Sequence, residues 1–294
     1  MRGTGHRPQT GPGPYGSSGK GLFDFAKAII ESTSDLVAAY KPNLAFFEAM
    51  GSDGMSLLRL ICERIPEDIP IILDAKRADI GNTSAQYAAA LYKVYKADWI
   101  TVNPYMGHDS LKPFLDYRER GVFILCLTSN PGSSDFQTLD CGGEPLFMRV
   151  CQKAGQWNTG GNVGLVVGAT HPEHLSRIRA AAGKMPLLIP GIGAQGGALE
   201  KAVMDGTANF TRPALLNVSR SVLYASNGKD FAEKARENAE KTLRQVNALR
   251  PTNREETGPS ISAQPQSEPE SVDPATQPST PASPPTTESS LGQT

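Results

Sequence analysis

Short apolar runs alternate along this chain with segments whose apolar residues recur every three to four positions. The runs predict buried strands, and the longer spacing predicts amphipathic helices. Seven strands are predicted, over residues 36–40, 69–73, 99–102, 122–127, 163–167, 187–189 and 214–218. Helices are predicted over residues 22–34, 56–64, 83–95, 145–157 and 230–249. Two more are predicted, one that begins at residue 172 and one that ends at about residue 205.

The strands are apolar throughout, which is typical of a parallel sheet between layers of helices, so the fold class is α/β. Polar residues follow the C-terminal ends of many strands, at Lys41, Lys76, Ser129, Gln195 and Arg220. A (β/α)₈ TIM barrel keeps its sites at these ends. An open doubly wound sheet is the alternative, but it would gather the chemistry in one crevice. We therefore predict a TIM barrel.

The two ends of the chain differ in composition from the body. Residues 1–19 hold six glycines and three prolines with almost nothing apolar, which predicts a flexible arm. Residues 251–294 hold nine prolines, many Ser and Thr and no aromatic residue, which predicts a disordered tail. Residues 20–250 have the size of one barrel domain.

Charge and cysteine usage indicate the cellular compartment and the classes of partner. The formal net charge of −1 gives no general attraction to nucleic acid or to anionic lipid. The four cysteines form no C-x-x-C pair, and no segment has the apolar length of a membrane span or the core of a signal peptide. These features predict a cytoplasmic protein with reduced thiols that binds neither nucleic acid nor membrane.

Acids and an amine lie close together just after the strand at residues 69–73. Asp74 and Lys76 are two apart, so on a strand they would project to the same side. Asp79 and Thr83 are four apart, which predicts that both lie on the first turn of the next helix. The structural alternatives are a solvated ion pair for the first two and a helix N-cap for Asp79.

A glycine-rich loop predicts a phosphate site. Gly191, Gly193 and Gly196 match the dinucleotide fingerprint, but the acidic residue expected some twenty positions later is missing. In a barrel, the loops after the last two strands commonly bind phosphate through backbone N–H groups. Arg220 could add a two-pronged contact. His171 and His174 lack a third ligand and are read as helix-start residues, so no metal is expected.

Taken together, these stretches resemble orotidine 5'-phosphate decarboxylase, and within it the second of two bacterial types. Residues 74–80 fit the family's D-x-K-x-x-D-I signature. The resemblance spans about residues 21–250 and recurs at the strand ends, in the segments 40–43, 101–105, 128–132, 164–170, 190–197 and 217–223.

The resemblance implies that the chain converts orotidine 5'-phosphate to uridine 5'-phosphate and CO₂, the last step of de novo pyrimidine synthesis, without metal or organic cofactor. Lys76 would donate the proton, Lys41 and Asp79 would hold Lys76 charged, and Asp74 would lie against the substrate carboxylate. Asp79 and Thr83 would reach into a partner's site in a homodimer. The remaining implied substrate contacts are Ser129 to the pyrimidine, Gln195 between base and phosphate, and Pro190, Gly193 and Arg220 around the phosphate.

One part of the family pattern is absent. Members begin with a strand that ends in an aspartate contacting the ribose, and residues 1–20 cannot supply such a strand. We therefore predict a barrel that lacks its first strand, with unpaired edges at residues 36–40 and 214–218. A misplaced start or a frameshift upstream of Gly21 is the preferred explanation. The alternatives are an inactive nucleotide-binding remnant and a related phosphosugar decarboxylase or epimerase.

Overall fold

The computed structural model describes residues 18–192 and 196–251, with the backbone alone described at 196–198. Most of the predicted arm and the predicted tail beyond residue 251 lie outside the described residues. The strands are β1 (Ile72–Arg77), β2 (Trp99–Val102), β3 (Gly121–Leu127), β4 (Val163–Val167), β5 (Leu187–Pro190) and β6 (Ala214–Asn217). The helices are α1 (Gly19–Thr33), α2 (Leu44–Glu48), α3 (Gly51–Arg64), α4 (Gly81–Ala89), α5 (His108–Leu115), α6 (Leu146–Trp157), α7 (Pro172–Ala182), α8 (Gly196–Gly206), α9 (Arg220–Leu223) and α10 (Phe231–Ala248).

The six described strands form one parallel sheet in chain order, β1 to β6. Each strand connects to the next through at least one helix, as in a TIM barrel. Among the described residues, no pairing joins β6 back to the start of the sheet, so the ring stays open there. The prediction of a TIM barrel lacking its first strand is confirmed.

The predicted strand at residues 36–40 is the main correction to the fold. This segment and the residues just after it make only isolated parallel bridges, Tyr40 with Ile71 just before β1 and Asn43 with Asp74 of β1. Its backbone does reach β1, since the Ile72 N–H donates to the Tyr40 carbonyl at 2.8 Å and the Asp74 N–H donates to the Pro42 carbonyl at 2.9 Å. The two bridges are separated by Lys41 and Pro42, and Pro42 has no N–H to donate, so they do not join into a regular ladder.

Side chains from the strands pack into two separate cores. Ile72, Phe123, Val166 and Leu188 form a small cluster on one face of the sheet. Their neighbours in the chain, such as Leu73 and Ile124, belong to the large cluster under the helices. Because successive strand residues point to opposite faces, the small cluster is the barrel interior. Ala39 and Leu215, which flank the opening, are only partly buried against it.

The helices close around the sheet even though the strands do not. The Phe25 ring of α1 stacks on the Phe231 ring of α10 with 5.0 Å between their centroids. Arg236 of α10 binds Asp35, just beyond α1, through two hydrogen bonds of 2.7 and 2.8 Å. The first and last helices therefore hold the two ends of the barrel body together. None of the described helices is long and apolar enough to cross a membrane.

Several elements differ from the sequence prediction in length or number. β1 continues to Arg77, four residues beyond the predicted end at residue 73. The helix predicted over 83–95 is α4 followed by a π-helical turn over Ala90–Val94. α2, α5 and α9 were not predicted, because helices of four to eight residues are too short to display a clear period.

Candidate active site

Asp74 and Thr101 meet at the C-terminal end of the sheet. Asp74 follows Ile72 by two residues in β1, and Thr101 follows Trp99 by two residues in β2, so both continue the interior faces of their strands. The Thr101 hydroxyl donates to Asp74 Oδ1 at 2.9 Å. Sequence reasoning assigned no role to Thr101. The available signal was a hydroxyl residue inside an otherwise apolar strand.

Two lysines bind the same carboxylate. Lys41 Nζ donates to Asp74 Oδ2 at 2.7 Å, and Lys76 Nζ donates to Asp74 Oδ1 at 2.5 Å. The Asp74 and Lys41 side chains are 11% and 15% exposed, whereas that of Lys76 is 49% exposed. One carboxylate between two ammonium groups leaves a net positive centre, and its accessible part is Lys76. The arrangement can bind an anion and can deliver a proton to it.

The pKa of the Asp74 carboxyl lies below its ordinary value of 3.8. Burial is the largest single influence and acts to raise this pKa, because it disfavours the charged form. The charges and hydrogen bonds of Lys41 and Lys76 together act more strongly in the opposite direction. Asp74 is therefore ionised at neutral pH.

The predicted meeting of Asp74 and Lys76 is confirmed, but the backbone reason differs. Regular strand alternation does not hold here, because the pairing of β1 with β2 shifts register between Leu73 and Arg77. Lys76 has φ of 47°, in the left-handed region that residues with a side chain rarely adopt. A β-bulge, rather than a flat strand, turns Lys76 towards Asp74.

Asp79 and Thr83 are placed differently from the prediction. α4 begins at Gly81, so Asp79 precedes the helix and does not share its first turn with Thr83. Asp79 is not an N-cap either, since Ile80 holds that position and makes no side-chain capping bond. Asp79 Oδ1 accepts the N–H of Ile80 at 2.8 Å, and Asp79 forms no hydrogen bond or ion pair with Lys76 in the part of the chain that the structure describes. Thr83 is exposed.

Ser129 lies where three strand ends approach one another. A Cβ on Gly168, after β4, would lie 2.8 Å from the Ser129 backbone nitrogen, so only glycine fits there. Gly191, after β5, has φ of 87° and faces Ser129 Cβ. The Thr170 hydroxyl donates to the Ser129 carbonyl at 3.4 Å. The predicted pyrimidine residue is thus next to the start of the predicted phosphate loop.

Gln137 is a second residue that sequence reasoning missed. Its Oε1 accepts the Thr128 N–H at 2.8 Å, and its Nε2 donates to the Thr128 hydroxyl at 2.9 Å. The Gln137 amide therefore ties the loop after β3 to the residue that precedes Ser129. Nine positions separate the two residues, and no local pattern announces such a contact.

The predicted phosphate residues are only partly described. Pro190 ends β5 and pairs in register with Asn217 at the end of β6, so these two strand ends are adjacent. Arg220 was predicted at the end of the last strand but is the first residue of α9, where it is exposed. Gly193 and Gln195 lie outside the described residues.

The two histidines occupy the start of α7, as predicted. His171 holds the N-cap position, and His174 lies in the first turn. Over residues 18–192 and 196–251, no group of three or more His, Cys, Asp or Glu side chains is placed to hold a metal ion.

An open TIM barrel with a Lys-Asp-Lys centre at the C-terminal ends of its strands defines the general class of this protein. Its family follows from comparison with known sequences. The model of the family described as Orotidine 5'-phosphate decarboxylase / HUMPS family matches residues 22–235. The chain belongs to this family.

Curated relatives and a solved structure agree with this assignment. The chain is 49% identical over 232 residues to orotidine 5'-phosphate decarboxylase of Azoarcus sp., covering 78% of this chain and 86% of that protein. It is 51% identical over 232 residues to the protein of the same name from Roseiflexus sp., covering 78% and 85%. The structure of Leishmania donovani OMP decarboxylase matches with a TM-score of 0.74 and 40% identity, covering 80% of this chain and 90% of that one.

Proposed function

We propose that this chain decarboxylates orotidine 5'-phosphate to uridine 5'-phosphate and CO₂ without a metal or organic cofactor. The observation that carries the proposal is the Lys41–Asp74–Lys76 chain at the C-terminal edge of the barrel, with only Lys76 substantially exposed. The names of relatives about half identical to this chain point to the same reaction. The product would complete the synthesis of the pyrimidine nucleotide.

In this proposal the reaction depends on the ammonium group of Lys76. The bond between C6 of the pyrimidine and its carboxyl group breaks, CO₂ leaves, and the electron pair stays on C6. The nearby ammonium stabilises this carbanion and then gives its proton to C6, so that Lys76 is left neutral and regains a proton from solvent. Lys41 supports the step by holding the Asp74 carboxylate from its other side.

Asp74 would act on the substrate carboxylate. Two like charges about 4 Å apart cost on the order of 4 kcal/mol at an effective dielectric near 20. This repulsion disappears when CO₂ leaves, because CO₂ is neutral. The negative charge then lies on C6, where it faces Lys76. Since Asp74 is held by two lysines and a threonine, it cannot easily turn away from the substrate.

Substrate recognition would follow the order of the strand ends. Ser129 would bind the pyrimidine, Pro190 would lie at the sugar phosphate, and Arg220 would bind the phosphate from the start of α9. Gly193 and Gln195 complete this proposed set. The close approach of Ser129 and Gly191 supports one continuous site for base and phosphate.

The test is the loss of ultraviolet absorbance of orotidine 5'-phosphate, followed with the purified chain and with chelator present. We expect turnover that survives chelator and falls at least about 100-fold in Lys76→Ala. Lys153→Ala, which removes an exposed lysine of α6, is the matched control and should keep wild-type activity. Turnover by Lys76→Ala at the wild-type rate would contradict the assigned role.

The same assay separates the alternatives. A phosphosugar decarboxylase or epimerase that uses Mg²⁺ would not consume orotidine 5'-phosphate and would lose its own activity in chelator. An inactive remnant would bind uridine 5'-phosphate, measured by calorimetry, without any turnover. Either result would replace the proposal.

We further propose a homodimer with shared sites, in which Asp79 and Thr83 reach the partner's Lys76 region. Two observations support it. Asp79 has no side-chain partner among the described residues. Large apolar side chains stand exposed around the same end of the barrel, where the Tyr105 and Phe136 rings lie 6.4 Å apart. Tyr105 is 81% exposed and Phe136 is 60% exposed, and adjacent large apolar side chains at the surface support an interaction site there.

Sedimentation tests the dimer directly. Tyr105→Glu would place a charge in the proposed apolar interface and should shift the chain from dimer to monomer at micromolar concentration. Leu243→Glu, at a partly exposed apolar position of α10, is the matched control and should sediment as the wild type does. A monomeric wild type, or a Tyr105→Glu variant that remains fully dimeric, would contradict this interface.

The domain boundaries and the compartment complete the proposal. Residues 20–250 would carry the decarboxylase domain, flanked by the arm and the tail. A cytoplasmic location is supported by the four cysteines, all of which are free thiols.

A further inference from the structure

The ladder between β1 and β2 breaks opposite Thr101. Ile72 pairs with Trp99 and Leu73 pairs with Ile100, but the next pairing joins Arg77 with Val102. Residues 74–76 of β1 therefore stand opposite Thr101 alone. Such bulges redirect side chains and are common beside active sites.

A bulge leaves backbone groups without their ladder partners, and the Thr101 side chain supplies a hydrogen-bond partner for one of them. The Lys76 N–H donates to Thr101 Oγ1 at 3.0 Å. The same hydroxyl donates its own hydrogen to Asp74 Oδ1 at 2.9 Å. Thr101 is 1% exposed, so no solvent molecule can take over these bonds without a change in packing.

The backbone of Lys76 needs such support. Its φ of 47° costs free energy for any residue with a side chain, and a strained residue persists only when its surroundings hold it. The hydrogen bond from its N–H to Thr101 opposes relaxation of that peptide. One hydroxyl thus holds both the carboxylate that Lys76 binds and the backbone from which Lys76 extends.

We propose that Thr101 is a positioning residue for the reaction, aligning the Lys76 ammonium with Asp74 through this paired hydrogen bond. The inference rests on the proposed decarboxylase function. Thr101 acts through Asp74 and Lys76 and does not itself touch the substrate. Its effect falls on the chemical step, because a displaced ammonium stabilises the C6 carbanion less well.

The test compares three variants. Thr101→Val keeps the shape and removes the hydroxyl, whereas Thr101→Ser keeps the hydroxyl. Thr207→Val is the matched control, because the buried Thr207 hydroxyl also donates to one oxygen, of Val203, and accepts one backbone N–H, of Phe210. Thr207 follows the C-terminal end of α8, whereas the strand ends that carry the site lie at the other end of this helix.

We expect kcat of Thr101→Val to fall about 10- to 100-fold, with KM changed less than about threefold, because a small misplacement of the reacting group slows chemistry more than binding. Thr101→Ser should restore kcat to within about threefold of the wild type, and Thr207→Val should leave it unchanged. A Thr101→Val enzyme with wild-type kcat would overturn the proposal. So would a Thr101→Ser enzyme as slow as Thr101→Val while both remain folded.

A second measurement does not depend on turnover. Amide hydrogen exchange of Lys76, followed by NMR, should be slow in the wild type and in Thr101→Ser and at least about tenfold faster in Thr101→Val. If the wild type does not consume orotidine 5'-phosphate, the proposed function fails. The exchange rates still test whether the Thr101 hydroxyl holds the Lys76 peptide. Equal exchange in all three proteins would show that the hydroxyl does not hold this peptide.

Discussion

Asp74 and Asp79 are five positions apart in one motif, yet their surroundings are opposite. Asp74 accepts hydrogen bonds from Lys41, Lys76 and Thr101, and its side chain is 11% exposed. Asp79 accepts one backbone N–H, from the residue that follows it. Hydrogen bonds from three residues hold Asp74, whereas Asp79 lies on the connection that leads from β1 to α4.

This difference indicates how the site is assembled. The half built around Asp74 is organised within one chain before any ligand arrives, and such preorganisation lowers the cost of stabilising charge in the transition state. Asp79, by contrast, has no side-chain partner within residues 18–192 and 196–251. A second copy of the chain is the proposed source of such a partner.

The largest effects are expected when each acid is neutralised in turn. Asp74→Asn should lower kcat/KM at least about 100-fold and should lower the free energy of unfolding by about 2 kcal/mol, because it leaves Lys41 largely buried without a counter-charge. Asp79→Asn should also lower activity, but its unfolding free energy should stay within about 0.5 kcal/mol of the wild type. Urea unfolding and steady-state kinetics measure both. Equal destabilisation by the two variants would remove the distinction.

A mixing experiment examines whether the second half comes from a partner. Lys76→Ala and Asp79→Ala are each expected to be inactive alone. In a hybrid dimer with shared sites, one of the two sites has both native residues, so an equal mixture should recover about one quarter of wild-type activity. The mixture is assayed after exchange of subunits at low denaturant. If a mixture shown to contain hybrid dimers recovers no activity, Asp79 and Lys76 of one chain serve the same site, which contradicts the proposal.

A smaller effect is expected at the proposed pyrimidine side, where Gln137 is hydrogen-bonded to Thr128, the residue before Ser129. Gln137→Ala removes both amide contacts and should raise KM for orotidine 5'-phosphate by about tenfold, equivalent to about 1.4 kcal/mol of binding. The value of kcat should change less, since the Asp74 centre is untouched. Gln152→Ala, which removes an exposed amide of α6, is the matched control. A lowered kcat with unchanged KM would contradict a role in substrate binding.

The smallest effect concerns acid stability. Because the pKa of Asp74 is lower in the folded chain, its stabilisation is fully present above the ordinary value of 3.8 and is lost as pH falls through the lower folded value. The difference in unfolding free energy between wild type and Asp74→Asn should therefore be constant above about pH 5 and shrink as acidification protonates Asp74.

Asp116→Asn is the control for this measurement, since it removes an ion pair with Lys112 in which both side chains are more than half exposed. Its difference from the wild type should be small across the same pH range. A wild-type advantage over Asp74→Asn that grows as pH falls would contradict the direction of the pKa shift.

Much of the fold could be predicted from the sequence because its signals are local. Six of the seven predicted strands are present, and the long helices such as α1 and α10 begin and end within a few residues of their predicted bounds. Apolar spacing depends on which residues neighbour one another in the chain. The sequence also predicted that Asp74 and Lys76 meet, although a bulge and not regular strand alternation brings them together. It located the two histidines at the start of α7.

The remaining features depend on contacts between segments that are distant in the chain. The bulge in β1 exists only against the register of β2, and no spacing within residues 74–76 predicts it. Thr101 lies 25 positions from Lys76 in the sequence, and Gln137 lies nine positions from Thr128. Each hydrogen bond forms only because the fold brings the two residues together. Asp79 lost its predicted place on α4 because the helix begins after it. From its local patterns alone, the sequence predicted six of the strands and the neighbouring positions of Asp74 and Lys76. How these side chains are held depends on the tertiary structure, since strand register and hydrogen-bond partners are set by neighbours in space.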